Sequence, residues 1–393
     1  MGGRSPDRAV GRAQLSQASE PSPAGPAPAA PPSPRTARTR QIRLVGLIVA
    51  LAVLAAALVP IVLAMGPPTR DQLLEDAHLK GKQQLVIGVK DDQPGISLKL
   101  PNNTWKGFDV DIAYMIAGYL GFDHSQVRFL PIESEDRARR QARDNDGFVT
   151  VDLVIASYSI NAKREEEGAV FSASYLHTEQ SVVTLESFKD QVSSLEDLAG
   201  RTVCSLTTST SIQRLAEAGA KPVGRNRISE CFQEMYDGKV EAVTTDAAIL
   251  AGFVTGDRAG VDGQRFPVLL KNVKPLKHWD IGSSPRERWG VNTGPNKALR
   301  DLVDLALYES AMDENNSTWE NAYNANLRWQ QEYNLPQPVA EQQQPDPRKV
   351  EVRQWPWERI ALPPPAHPGS PPAPTGPAAR VGWRGRGRRS SGC

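Results

Sequence analysis

Cysteine and histidine are scarce: three and five among 393 residues. Cys204, Cys231 and Cys393 stand far apart and the histidines are scattered, so the paired spacing of a zinc or iron–sulfur site is missing, and no metal or other cofactor is expected. A glycine-rich phosphate loop, a nucleophile elbow and a metal-binding helix motif are absent too, which leaves catalysis little support. Net charge is nearly absent, with 46 Lys and Arg against 45 Asp and Glu. This balance hides a segregation: residues 1–43 carry +5, residues 346–393 carry +6, and the stretch between carries −10. A generally basic, nucleic-acid-binding body is thereby excluded, because the positive charge sits in low-complexity ends.

There is one long apolar run. Leu44–Met65 is 22 residues without a charge, about the length that spans a bilayer. Arg35, Arg38, Arg40 and Arg43 precede it, so the positive-inside rule predicts a cytoplasmic extension at 1–43, an anchor at 44–65 and an exported body. A long signal sequence cleaved after Ala64 is the alternative. No cysteine directly follows the run, which excludes a lipid-modified cysteine anchor. Export also permits a disulfide between Cys204 and Cys231, provided the fold brings them together.

Residues 1–40 contain eight prolines and no apolar periodicity, which predicts disorder. From 337 the chain again becomes Pro- and Gln-rich and ends in an Arg-rich tail. The body between, about 270 residues, is long enough for a sizeable core and alternates short apolar runs with helical stretches. Strands are expected at 85–89, 127–130 and 153–156. Helices are expected at 110–120, with Asp109 as cap and Gly121 as stop, and near 135–143. A second set has strands at 182–185, 202–205 and 242–245, and helices at 195–198, 210–218, 228–237 and 247–254. A strand at 288–292 then leads to helices at 297–312 and 318–331. This is an α/β pattern in two lobes.

Ser157-Tyr158-Ser159-Ile160-Asn161-Ala162-Lys163-Arg164 directly follows a buried strand, where open α/β sheets bind ligands. Arg164 can hold a carboxylate through two parallel charge-assisted hydrogen bonds, with Ser159 and the Ser157 backbone completing the anion's coordination. The plainer alternative is a surface arginine on a helix. Asp246 ends a strand and opens a helix, so it is either an N-cap or the partner of an ammonium group. Thr207–Ser211 is a hydroxyl run at a strand-to-helix turn, suited to an anion or simply to capping. Lys90 and Asp91, after the first strand, reach the mouth of the same cleft, while Phe108 and Tyr158 serve as cleft walls or as core.

In combination, Asp92-Gln93-Pro94-Gly95, Gly107-Phe108-Asp109-Val110-Asp111, Asp152-Leu153-Val154-Ile155-Ala156, Tyr158-Ser159-Ile160-Asn161 with Arg164, Leu195-Glu196-Asp197-Leu198-Ala199-Gly200 and Gly238–Asp246 resemble a known family. These segments are similar, in order, to the type 2 periplasmic or extracellular solute-binding proteins that serve ATP-binding-cassette (ABC) importers of polar amino acids. The likeness is greatest to the glutamate-binding proteins of high-GC Gram-positive bacteria. It implies an α/β, two-lobed Venus-flytrap fold with two hinge strands. Lobe 1 would comprise 71–179 and 290–336, lobe 2 would comprise 180–289, and 337–393 would be a disordered tail.

Position by position, the resemblance places the ligand's α-carboxylate on Arg164, Ser159 and Ser157, its ammonium on Asp246, and its side chain on Thr208, Ser209 and Thr210. It also supports a Cys204–Cys231 disulfide. Three departures stand out: Thr208 replaces the family's glycine, Ser172-Ala173-Ser174-Tyr175 replaces a Ser-Asp-Pro-Tyr, and residues are inserted around 272–284. The implied function is non-enzymatic capture of a polar amino acid, glutamate or a close relative, by hinge closure, and its delivery to an importer permease. A membrane-anchored sensor acting on a membrane partner is the alternative, and a dehydratase-type enzyme on the same fold the remote one.

Overall fold

The computed structural model describes residues 34–145, 147–255, 270–282, 286–333 and 339–353; the extension at 1–33 and the tail beyond 353 lie outside them. Two compact units result, divided at Gly66 and Pro67. The first is described by one helix, α1 (Pro34–Met65). Its segment Arg38–Leu58, 21 residues and about 31 Å of helix, contains an 18-residue window of mean hydropathy 2.3 and is long and apolar enough to cross a membrane.

The second unit starts with a short helix, α2 (Arg70–Asp76), closed by a capping box between Thr69 and Gln72. Strand β1 (Leu85–Val89) follows, then a small antiparallel array of β2 (Asp92–Gln93), β3 (Ser97–Lys99) and β4 (Trp105–Lys106). Next comes helix α3 (Phe108–Tyr119). The cap of α3 is Gly107, not Asp109: at φ 131° a Cβ on Gly107 would lie 2.3 Å from the Ile96 carbonyl oxygen. Asp109 turns inward instead, and is wholly buried.

After β5 (Val127–Pro131), the stretch expected to be helical near 135–143 makes one 3-10 turn at Ser134–Asp136 and then enters a hairpin of β6 (Gln141–Asp144) and β7 (Gly147–Thr150). Two features oppose a helix here. Arg140 and Asn145 have positive φ, and Arg137 and Arg140 spend their guanidinium groups on the carbonyls of Val151, Asp152, Ala156 and Ser157 rather than lining a solvated helix face. Strand β8 (Leu153–Val154), helix α4 (Ala162–Glu166) and β9 (Phe171–Thr178) complete this pass. The resulting sheet has the order β5-β1-β8-β15-β9, with the parallel trio β5-β1-β8 flanked by the antiparallel β15 (Glu287–Asn292).

The chain crosses to the second lobe through Glu179 alone, because β10 (Gln180–Leu185) begins one residue beyond β9. Strands β11 (Thr202–Leu206), β12 (Lys221–Arg225), β13 (Ala242–Asp246) and β14 (Leu276–Asp280) join β10 in the order β12-β11-β13-β10-β14. Helices α5 (Thr210–Glu217), α6 (Ile228–Tyr236) and α7 (Ala247–Thr255) cover this sheet. The inserted residues supply β14, which pairs antiparallel along β10 at the sheet edge. The return crossover ends at Glu287, where β15 pairs with Thr178 of β9, so the first sheet resumes three residues before the expected boundary at 290. Helices α8 (Lys297–Met312) and α9 (Thr318–Tyr323) then pack on lobe 1, and α10 (Trp329–Tyr333) meets α7 of lobe 2.

The largest apolar cluster runs through both lobes. In lobe 1, Leu85, Ile87 and Val89 meet Phe108, Ile112, Ile116, Leu302, Val303 and Trp319. In lobe 2, Cys204 on β11 and Cys231 on α6 form the disulfide, with Cα atoms 5.4 Å apart.

Residues 339–353 correct the expectation of a disordered tail from 337. Val339 and Ala340 are buried, and Thr178 pairs with Ala340 while its hydroxyl donates to the Val339 carbonyl. Farther on, Arg348 meets the buried Asp304 at 3.1 Å and the Arg353 amide donates to the Pro68 carbonyl. Apolar anchors and paired charges hold this segment despite its proline content.

Candidate functional site

Strand β8 delivers the chain to Ser157, whose φ of 43° is rare for a non-glycine residue. Three buried side chains hold that backbone. The Ser157 amide donates to Asp109 at 2.8 Å, its hydroxyl donates to Gln93 at 3.0 Å, and its carbonyl accepts from Arg137 at 3.3 Å. Asp109 also accepts from the Tyr175 hydroxyl at 2.8 Å. Burial raises the Asp109 carboxyl to about 7, against the opposing effect of those two hydrogen bonds.

Asn161 caps α4 by accepting from the Arg164 amide at 3.0 Å, which fixes the root of the Arg164 side chain. The guanidinium is buried, donating to the Ser159 carbonyl at 2.5 Å and, from lobe 1 to lobe 2, to the Thr208 carbonyl at 3.0 Å. It lies 4.6 Å from the Tyr158 ring centroid. A second guanidinium, that of Arg137, lies 4.5 Å from the same ring, so one electron-rich face system serves two cations. Arg137 is 2% exposed and donates to the carbonyls of Ser134, Ala156 and Ser157. Its Nη2 is buried without a hydrogen-bond partner among the described residues. Burial, and then the nearby Arg164 charge, pull Arg137 down to about 9.

From the second lobe, β13 ends at Asp246, which is buried and accepts from the Trp289 indole at 2.6 Å. Burial first and then the Glu287 carboxylate raise its pKa, to about 7, while Arg164 and Arg214 oppose the rise. The Thr207–Ser211 turn divides its roles. The Thr208 hydroxyl donates across the cleft to the Ser134 carbonyl at 3.0 Å. Ser209 is the N-cap of α5, accepting from the Ile212 amide at 3.2 Å, and Thr210 donates to Glu287 at 3.0 Å. Glycine's freedom is not required at Thr208, which is absent from the positive-φ positions of the described residues.

Lys90 and Asp91 lie at the junction of the lobes. Lys90 is 1% exposed and donates to the Ile132 carbonyl, the Ser134 hydroxyl and, in lobe 2, the Asn226 carbonyl; burial lowers its pKa. Asp91 takes two bonds from Arg227, at 3.0 and 2.8 Å, and Asp92 accepts from the Ser229 amide at the start of α6. The lobes are therefore closed on one another. A cavity of about 580 Å³ remains beside this latch, lined by Asp91, Asp92, Lys99, Arg227, Glu230 and Gln233 among others. It does not reach Arg164 or Asp246, whose side chains are packed.

Arg137, Glu287 and Trp289 belong to this cluster although sequence reading did not single them out. Arg137 sits in a run whose only apolar residues are alanines, which reads as a solvated helix, while Glu287 lies just ahead of the strand expected at 288–292 and Trp289 within it, where it reads as core. Among the described residues no group of three or more His, Cys, Asp or Glu side chains is placed to hold a metal ion. The cluster can pair charges of both signs, and it contains no nucleophile activated by a base.

Residues 85–332 match the bacterial extracellular solute-binding proteins, family 3. The chain is 34% identical over 241 residues to the glutamate-binding protein GluB of Corynebacterium glutamicum, covering 58% of this chain and 77% of that one. It is 36% identical over 176 residues to GluB of Corynebacterium efficiens, covering 43% of this chain and 58% of that protein, so the match spans less than two thirds of that relative. Among solved structures, an ancestral arginine-binding protein bound to glutamine superposes with TM-score 0.51 at 27% identity, covering 62% of this chain and 98% of that one. The solute receptor for L-cysteine of Neisseria gonorrhoeae, at 20% identity and TM-score 0.55, covering 67% of this chain and 98% of that one, shares the fold. With two α/β lobes, two crossovers and charged residues facing one another between them, the chain belongs to the bacterial extracellular solute-binding proteins, family 3.

Proposed function

We propose that this chain captures a free acidic amino acid, glutamate above others, outside the cell and presents it in the closed form to an ABC importer. The observation that carries the acidic choice is Arg137: a second buried guanidinium beside Arg164, with one nitrogen lacking an acceptor. A buried charged donor without a partner is costly, and a ligand's side-chain carboxylate supplies the missing acceptor. In this reading Arg164, with Ser159 and the Ser157 turn, takes the α-carboxylate, and Asp246 takes the ammonium. Thr208 and Thr210 border the side-chain end, while Ser209 holds the turn.

Capture needs the lobes to open. The bonds from Arg164 to Thr208, from Thr208 to Ser134 and from Lys90 to Asn226 must break together, and ligand contacts to both lobes favour the return to the closed form. The resemblance of the Corynebacterium relatives supports glutamate, and α1 supports retention at the membrane, with the body outside.

A sensor reading keeps one observation in its favour: the Arg353 amide bonds the Pro68 carbonyl, three residues beyond the end of α1, so the segment that pairs with the hinge also reaches the start of the body. Co-purification decides between them: a permease with its ATPase supports import, and a signalling membrane protein supports sensing. Calorimetric titration with the twenty amino acids tests the ligand. Saturable binding of glutamate is expected, and preference for a neutral or basic amino acid would refute the acidic reading.

A further inference from the structure

Glu287 is almost fully buried at the first position of β15, where the chain re-enters lobe 1. Its Oε1 accepts from the Thr210 hydroxyl and from Arg214, both at 3.0 Å and both on α5 of lobe 2. Arg214 reaches on to Gln180, at 2.9 Å, in the other crossover strand. One guanidinium thus ties α5 to both connections between the lobes. Two residues along β15, on the same face of the strand, Trp289 donates to Asp246. Glu287 is thereby set beneath the first turn of α5 and beside Asp246 at once. The turn matters because the carbonyl of Thr208, just ahead of α5, accepts from Arg164.

We propose that Glu287 is a positioning residue of the ligand site: through Thr210 and Arg214 it fixes the α5 turn that Arg164 grips, and its carboxylate stands beside Asp246 as a like charge that an arriving ammonium offsets. This inference rests on the reading of Asp246 as the ammonium partner. The direction of the Asp246 shift agrees with it, since the Glu287 charge is the largest cause of the rise after burial. The other charged or polar groups facing Asp246 are Arg164, Arg214 and Arg137, which favour its ionised form, and the Trp289 indole, which donates to it. An incoming ammonium replaces like-charge repulsion by attraction and closes the cluster. A ligand without a free amino group leaves two carboxylates facing one another.

The test compares the whole chain with Glu287→Gln and Glu287→Asp in calorimetric glutamate titrations between pH 5.5 and 8.5. Below pH 7 the wild-type affinity should fall about tenfold per unit, about 30-fold by pH 5.5, because Asp246 must lose a proton to bind. Glu287→Gln should weaken binding at pH 8 about 5- to 30-fold, roughly the loss of one or two hydrogen bonds, and should move the acid limb to lower pH. Glu287→Asp should restore the limb while leaving the affinity low. An acid limb in Glu287→Gln parallel to the wild type, or an unchanged affinity at pH 8, overturns the proposal, since a role confined to the scaffold moves affinity equally at every pH.

A second measurement needs no ligand. Thermal midpoints of wild type, Glu287→Gln, Asp246→Asn and the double variant form a cycle. A coupling present at pH 8 and lost at pH 5 is expected, and no coupling at pH 8 overturns the proposal. Failure of the wild type to bind glutamate would instead sink the functional reading, and this cycle would still decide the role of Glu287.

Discussion

Replacing Arg137 by glutamine removes the buried guanidinium while keeping a polar side chain of shorter reach. Its Nη2 has no acceptor among the described residues, so a ligand carboxylate placed there gains a charge-assisted hydrogen bond, worth about 1.5–3 kcal/mol. Loss of that bond should weaken glutamate about 10- to 150-fold. Glutamine, whose neutral side chain gains far less from the guanidinium, should change by about threefold or less, so the ratio of the two affinities is the informative quantity. Arg137 also serves the carbonyls of Ser134, Ala156 and Ser157. The variant should therefore unfold more easily, by about 1–3 kcal/mol in total, and binding must be measured well below its thermal midpoint. Calorimetry with both ligands at pH 7.5 and a thermal melt of each protein make up the assay. Equal losses for glutamate and glutamine would show that Arg137 only holds the Ser157 turn. An unchanged glutamate affinity would refute its contact with the ligand.

Three other expectations concern stability and closure. The Cys204–Cys231 bridge closes a loop with a sequence separation of 27, which corresponds to about 3.5 kcal/mol in the chain-entropy treatment; Cys231→Ser should lose roughly that in denaturant unfolding, and a loss below about 1 kcal/mol would contradict it. Asp109 is fully buried with a folded pKa of about 7 against 3.8 unfolded, so its contribution to stability is fully present below pH 4 and is lost as pH rises through 7, by at most about 4 kcal/mol. Asp109→Asn should flatten that decline in melts between pH 4 and 8, and an unaltered slope would count against the burial argument. Arg227→Gln removes the two-bond contact with Asp91 across the cleft, worth about 1 kcal/mol; solution scattering of the ligand-free chain should show a more open body, and an unchanged scattering profile would contradict a latch.

The alternating apolar strands and helices were legible in the sequence because each buries one face, and Leu85–Val89, Ala242–Asp246 and Lys297–Met312 lie close to where the pattern put them. The helix expected near 135–143 is instead a turn leading into the first strand of a hairpin, because its charged residues carry no apolar period and its determinants are backbone turns at Arg140 and Asn145. Strand β9 was overlooked for a related reason. Its Ser, Ala and His residues lack a strong apolar alternation, and its burial comes from α8 and β15 packed on either side. Within the proposed site, Arg164 and Asp246 stand out in the sequence because one lies beyond a strand end and the other closes a strand. Arg137 and Glu287 do not, since distant segments bring them to the cleft. Residues 339–353 show the same limit, as composition alone did not reveal the pairing of Ala340 with Thr178.

The central claim is that Arg164 and Asp246, on opposite lobes, clasp the α-carboxylate and the ammonium group of one acidic amino acid. Calorimetric titration of the whole chain in detergent with glutamate, repeated on Arg164→Ala and Asp246→Ala, tests it most directly. One saturating site in the wild type, with at least a hundredfold loss in each variant and both variants still folded, is the predicted result. Wild-type binding that survives either substitution, or a folded wild type that binds no amino acid, would contradict the account.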